Sequence, residues 1–248
     1  MRLIIADPLL PLTNDIIQGM KVISDKQNWE TVKEKREKFL KQKQFPALKN
    51  PYSDRMDPIM HTGYLMFIRS KFLFLGLIEN IEERNLYVSY AILKSFWENV
   101  TAFGYYYLRI SSLLEKNNKE EAFSLSKKMG LGGRKFLTEE MVQKKGDTLE
   151  DYTTPNVLTM MEKVDEDWKR VLGIDSLFKE LYETQIAEGG HTTYIGLSIA
   201  GRWLPDKSLL PDLKRSWTRE ERSSLLNLAA LSSTVFHYYW EKFYKLKD

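Results

Sequence analysis

The chain has no cysteine. That absence excludes disulfides, thiolate zinc sites, iron–sulfur clusters and cysteine nucleophiles together. It fits a reducing compartment, and a cytoplasmic location is the expectation. Histidine is scarce too, with three in 248 residues, so any histidine chemistry must draw on His61, His191 and His237. Long apolar runs are missing. The most apolar stretch, Tyr64 to Ile78, is interrupted by Arg69 and Lys71, and the uncharged run Ser223 to Trp240 is diluted by Ser, Asn, Thr and His. Neither suits a bilayer span, so no membrane partner is expected. The opening residues meet Asp7 after a short apolar stretch and read as no export signal. An excess of one charge sign is also lacking. The net charge of +3, with 29% charged residues, gives a weak overall field and no general attraction to nucleic acid.

What the chain does have is apolar content, 43% of residues, enough to bury a core without staples or metals. Its dominant period is helical. Val88, Ile92, Phe96, Asn99, Phe103, Tyr107, Ile110 and Leu114 step by three and four along one stripe. Leu65, Ile68, Phe72 and Leu75 repeat those steps from about Thr62 to Arg84, and Asn85 breaks the two rods apart. An antiparallel helix pair follows. A third helix runs from Pro155 to Leu172, with Thr154 as its N-cap and Gly173 as its stop. The last begins at the capping box Thr218-Arg219-Glu220-Glu221 and carries Leu225, Leu228, Val235, Tyr239 and Phe243. Weaker helices lie around Lys119 to Met129 and Ser176 to Glu188. Pro205 to Ser216 reads as a loop, and no convincing strand pattern is present.

These elements predict an all-α fold, a helical bundle of long central antiparallel helices with shorter peripheral ones. One domain is expected overall. Residues 1–50 form its N-terminal peripheral segment, where Trp29, Val32, Phe39 and Leu40 are the apolar contacts of an outer helix, and residues 51–248 form the bundle. Tyr105 and Tyr106 lie opposite the stripe that contains Phe103. They would meet either a second copy of the chain, making a homodimer, or a second packing layer within the monomer.

Polar chemistry has few places to sit. Glu188-Gly189-Gly190-His191 has the Glu-x-x-His spacing that aims two ligands at one metal when it lies on a helix. The two glycines instead end the helix after Glu188 and put His191 in a turn. A complete di-metal site needs a second such motif and further glutamates, which are not seen. Asn99 falls on an apolar stripe, so its amide must find partners on another helix and would fix helix register. Lys94 and Glu98 form an i, i+4 pair that reads as solvated. On the last helix the small residues Ala230 and Ser233 leave room beside His237, which reads as a partly buried histidine bonded to another helix. Lys33, Lys35, Arg36, Lys38, Lys41 and Lys43 concentrate positive charge, as do Lys127, Lys128, Arg134 and Lys135. Without interleaved aromatics these read as solvated faces. Gly130-Leu131-Gly132-Gly133-Arg134 lacks the Lys-Ser/Thr of a phosphate-binding loop and reads as a helix cap. No cofactor is expected.

Three segments together resemble a group of prokaryotic helical proteins loosely similar to the HEPN helical-bundle domains. They are His61-Thr62-Gly63, Lys94-Ser95-Phe96-Trp97-Glu98-Asn99, and Leu181-Tyr182-Glu183 followed by His191-Thr192-Thr193. The resemblance spans roughly residues 55 to 200. It implies a bundle that binds a partner, RNA or a nucleotide, in stress or phage defence. Glu98, Asn99, Glu188 and His237 are the candidate ligand-binding residues of the chain. Many HEPN domains are similar in an Arg, then four to six residues, then a His, a pair that serves RNA cleavage without metal. Arg55 and His61 have that spacing here, though with Pro58 between them and near the N-terminus rather than in a late helix. Two enzymatic alternatives therefore stand beside binding. One is a metal-independent RNase using Arg55 with His61, or His191. The other is a metal-dependent bundle enzyme using Glu188, His191 and Glu98.

Overall fold

Among the described residues, steps of three and four give the helices. The computed structural model describes residues 25–42, 45, 56–131, 153–173, 176–187, 201–203, 209–211 and 218–247. Seven α-helices appear among these residues: α1 Asp25–Lys41, α2 Met56–Glu82, α3 Leu86–Glu115, α4 Lys119–Leu131, α5 Val157–Leu172, α6 Leu177–Leu181 and α7 Arg219–Tyr244. α6 continues as a π-helical turn, Tyr182–Ile186, and α7 ends in a 3-10 turn, Lys245–Lys247. The fold is an all-α helical bundle. No helix among the described residues is long and apolar enough to cross a membrane.

The helix ends follow local rules. Arg84 takes the left-handed conformation at φ 61, and the Asn85 side chain accepts from Val88 N at 3.3 Å to open α3. α7 begins with a closed capping box, in which Glu221 N donates to Thr218 Oγ1 at 3.2 Å and Thr218 N to Glu221 Oε2 at 3.0 Å. α5 ends at Gly173, whose φ of 71 needs no Cβ and whose N–H reaches Lys169 O. Its start differs from the expected one. The cap is Asn156, accepting from Leu158 N at 2.9 Å, not Thr154. Asparagine outranks threonine as an N-cap.

Two further boundaries correct the sequence reading. α2 begins at Met56, well before Thr62, because Pro58 falls in the first turn, where its missing N–H costs no hydrogen bond. The Pro205 to Ser216 stretch is not wholly loop. Leu209–Pro211 (β2) pairs antiparallel with Gly201–Trp203 (β1), Arg202 opposite Leu210. A ribbon of three residues per strand leaves the fold class unchanged.

The described residues form two compact units, and their boundaries fall inside α2, α3 and α7. One unit gathers α1, α2 from Lys71, α3 through Glu98, α6 with its π turn, the ribbon, and α7 through Val235. Phe74 is its hub, its ring 5.3 Å from Phe39 of α1 and 5.3 Å from Phe96 of α3. α1 contributes a narrow seam of buried Asn28, Val32 and Phe39, whereas Leu40 points outward.

The other unit gathers α2 through Ser70, α3 from Asn99, α4, α5 and α7 from Phe236. Its core is aromatic. Phe67 lies 4.4 Å from Trp240, Phe103 5.1 Å from Phe236 and 5.5 Å from Phe243, and Phe45 stacks on Tyr64 at 4.4 Å. Helices approach closely here. A Cβ at Gly104 would stand 2.7 Å from the Tyr239 ring and 3.0 Å from Val164, and one at Gly63 would collide with the Phe243 ring. Tyr106 is fully buried and donates to Ile59 O at 2.9 Å, so it belongs to a second packing layer within the chain.

The buried face of α2 is the main correction. Leu65, Ile68 and Phe72 were expected in the core but stand exposed, while Tyr64, Phe67, Phe74, Leu77 and Ile81 are buried. α2 is apolar on two sides, and helical periodicity alone does not choose between them.

Candidate functional site

In the first unit, Lys94 and Glu98 sit one turn apart on α3, where an i, i+4 pair meets naturally. Lys94 Nζ lies 2.6 Å from Glu98 Oε1. The expected solvated pair is, however, a cluster of three. The Tyr182 hydroxyl, from the first residue of the π turn, donates to the same Glu98 Oε1 at 2.6 Å. Behind this cluster Trp97 packs on Phe178, ring centroids 4.7 Å apart, and both side chains are fully buried. That contact anchors α6 against α3 and carries Tyr182 to Glu98.

Burial, then the hydrogen bond to Glu98 and its negative charge, push the Tyr182 phenol well above its ordinary range. It stays a donor at neutral pH. Both short bonds converge on one oxygen, so Oε2 accepts no hydrogen bond from the described residues. The carboxylate is 30% exposed, enough for a ligand donor to reach it while protein donors fix its orientation. Single π turns in α-helices recur at functional sites. This one also places Gln185 where Ser224 Oγ of α7 donates to it at 3.5 Å.

The remaining candidates fall elsewhere. Asn99 is buried in the second unit, and its Nδ2 donates to Ser70 Oγ at 2.6 Å and to Met66 O at 3.2 Å. Those partners on α2 are the polar link that its place on an apolar stripe required. His237 is 4% exposed, its ring edge-on to Phe236 at 5.7 Å. His61 lies in the second turn of α2 and is exposed. Arg55, Glu188 and His191 lie outside the described residues. Among the described residues, no group of three or more His, Asp or Glu side chains could hold a metal ion.

The sequence reading missed Tyr182 as a partner of Glu98, and it also missed the acid of α5. Asp167 is 7% exposed, accepts from the Tyr239 hydroxyl at 3.1 Å and pairs with Arg170. Burial and the Asp167 charge push the Tyr239 phenol far upward. Its spacing from Val164 and Trp168 could have flagged Asp167, since a carboxylate beside a buried stripe must find donors.

No protein-family model, curated protein or solved structure gives a significant match to this chain. The functional reading therefore rests on the side chains themselves.

Proposed function

We propose that this chain is a helical-bundle protein of HEPN-like type that acts by binding, with RNA or a nucleotide as partner and Glu98 as the group that reads it. The observation that carries this reading is the half-open carboxylate. Lys94 and Tyr182 hold Oε1 of Glu98, while Oε2 takes no bond from the described residues. An unstacked nucleobase offers an exocyclic amine to such an acceptor. Charge-assisted bonds of this kind contribute about 1.5–3 kcal/mol. A cytoplasmic setting in stress or phage defence accompanies the proposal.

The test is titration of the protein with labelled single-stranded RNA oligomers and with each of the four nucleoside monophosphates, beside the Glu98→Gln variant. Binding that falls about tenfold or more in Glu98→Gln is the expected result, by the magnitude of a charge-assisted bond. No binding of any RNA or nucleotide by the unaltered protein at millimolar concentration ends the proposal.

A second reading draws on the exposure of His61. A metal-independent RNase needs a histidine that reaches the phosphodiester, and His61 is open on α2 whereas His237 is buried. This reading expects RNA cleavage in the presence of a chelator, abolished in His61→Ala. Cleavage that persists unchanged in both His61→Ala and His191→Ala excludes it.

A further inference from the structure

Tyr239 of α7 and Asp167 of α5 form a buried pair of titratable groups that the Glu98 site does not use. Both lie in the second unit, as do the residues around them. Tyr239 is fully buried and Asp167 is 7% exposed. The phenol donates to Asp167 Oδ2 at 3.1 Å, and Arg170 holds Oδ1. A buried hydroxyl needs an acceptor, but a backbone carbonyl is enough, as Ile59 O is for Tyr106. A carboxylate differs because it can also take the proton away.

The neighbours of Tyr239 are rings that can give up electrons. Its centroid lies 5.2 Å from Tyr238, 5.8 Å from Tyr107 of α3 and 6.5 Å from Trp168 of α5. Tyr107 and Tyr238 are half-buried and reach the surface, whereas Tyr239 and Trp168 are inside. Charge sets these rings apart. Lys242 donates to the Tyr238 hydroxyl and stands 4.1 Å from its ring centroid, and a cation there opposes loss of an electron from that ring. Asp167 has the opposite effect on Tyr239, because its negative charge favours the oxidised ring and its oxygen accepts the proton released.

We propose that Tyr239 is a redox-active tyrosine, which holds an oxidising equivalent by passing its proton to Asp167. The co-reactant is a strong one-electron oxidant of the carbonate-radical class. It takes one electron and becomes carbonate. Tyr239 loses that electron, and its hydroxyl proton moves to Asp167 Oδ2, which leaves a neutral phenoxyl radical beside a neutral carboxylic acid. No other bond breaks. Electron loss that begins at Tyr107 or Tyr238 comes to rest at Tyr239. Moving the proton with the electron avoids a charged ring in a dry interior, and the charge left on Arg170 is solvated because that side chain is 77% exposed. A one-electron donor of the ascorbate class reverses the step, and the proton returns to the phenol oxygen. The chain has no cysteine to compete for the oxidant. Glu98 takes no part in this chemistry.

Flash oxidation of the full chain with ruthenium tris-bipyridine and persulfate, followed by electron paramagnetic resonance, tests the proposal. A single tyrosyl signal that outlasts the signal of the urea-unfolded chain is the expected result. Tyr239→Phe, which keeps the ring, should lose it, whereas Tyr87→Phe, at an exposed position, should keep it. Difference infrared spectroscopy of the unaltered protein should show a carboxylic acid carbonyl band that rises and decays with the radical. Asp167→Asn should lose both that band and the long-lived signal, and a merely structural role for Asp167 would produce no such band. A long-lived signal that survives in Tyr239→Phe overturns the proposal, as does a folded chain whose radical decays as fast as that of the unfolded one. So does a radical that forms with no carboxylic acid band, a result that needs no variant to fold.

Discussion

Tyr182 and Glu98, 84 residues apart in the chain, share a 2.6 Å hydrogen bond in which the phenol donates to the carboxylate. Lys94 reaches the same oxygen. Two donors on one oxygen fix the carboxylate in rotation without covering its other side, and this is what turns an ordinary helix-surface pair into a candidate site.

Tyr182→Phe removes one of those donors and little else. Stability should fall by about 1.5–3 kcal/mol, the range for a hydrogen bond to a charged group. The carboxylate should also lose its fixed orientation, so ligand affinity should drop less than in Glu98→Gln but measurably. Urea denaturation and a binding titration read the two effects separately. A variant that keeps full affinity would remove Tyr182 from the site.

Three phenols set the alkaline behaviour. Tyr106, Tyr182 and Tyr239 all hold their protons more tightly when folded than the ordinary tyrosine value of 10.0, chiefly through burial. The unfolded chain then releases protons that the folded chain keeps. Their contribution is complete below about pH 10 and declines as pH rises beyond it, by up to about 1.4 kcal/mol per pH unit for each group. Thermal unfolding between pH 8 and 11.5 should show this decline, and Tyr106→Phe should make it shallower. An identical slope in that variant would contradict the account.

Asn99→Ala leaves the buried Ser70 hydroxyl and the Met66 carbonyl without their amide donor. Orphaning buried polar groups costs about 1–3 kcal/mol. Ser70→Ala should cost less, because it removes one acceptor and leaves the Asn99 amide its bond to Met66 O. The order of the two denaturation midpoints is the check, and the reverse order would show that Ser70 has a larger role than accepting from Asn99.

Glycines in α2 and α3 should separate by what faces them. A Cβ at Gly76 meets only Ile92 at 3.8 Å, an ordinary contact, so Gly76→Ala should be neutral or stabilising by up to about 1 kcal/mol from helix propensity. At Gly104 the added carbon would press on Tyr239 and Val164. Gly104→Ala should lower stability by about 1–3 kcal/mol despite the same propensity gain. Equal midpoints for the two variants would mean that the close approach relaxes without cost.

What sequence made visible here was local. The capping box at Thr218 and Glu221, the stop at Gly173 and the break at Asn85 depend on residues a few places apart, and each stands where the pattern put it. The need for a partner at Asn99 was legible too, since an amide on an apolar stripe demands one, but Ser70 as that partner was not. The buried side of α2 was misread because the helix carries two apolar rows, and only the tertiary packing of Phe67 and Phe74 decides which is inside. Tyr182 was out of reach for another reason. Nothing local in Leu181-Tyr182-Glu183 announces a π turn, and the phenol meets Glu98 only when Phe178 docks on Trp97. The stretch holding Glu188 and His191 lies outside the described residues, so the motif that first drew attention to metal chemistry stays an expectation.

Tyr106 acts as a knot tying three rods. Its hydroxyl donates to Ile59 O on α2 and shares a hydrogen bond with Ser126 Oγ on α4, while Thr62 Oγ1 donates to Ser126 O. Lifting α4 by even a small amount would part Ser126 from the Tyr106 phenol and take its carbonyl from the buried Thr62 hydroxyl, an arrangement worse than either the seated or the fully detached helix. That edge of the bundle should therefore let go in a single step, and the backbone amides of α4 should exchange with solvent together rather than one turn at a time.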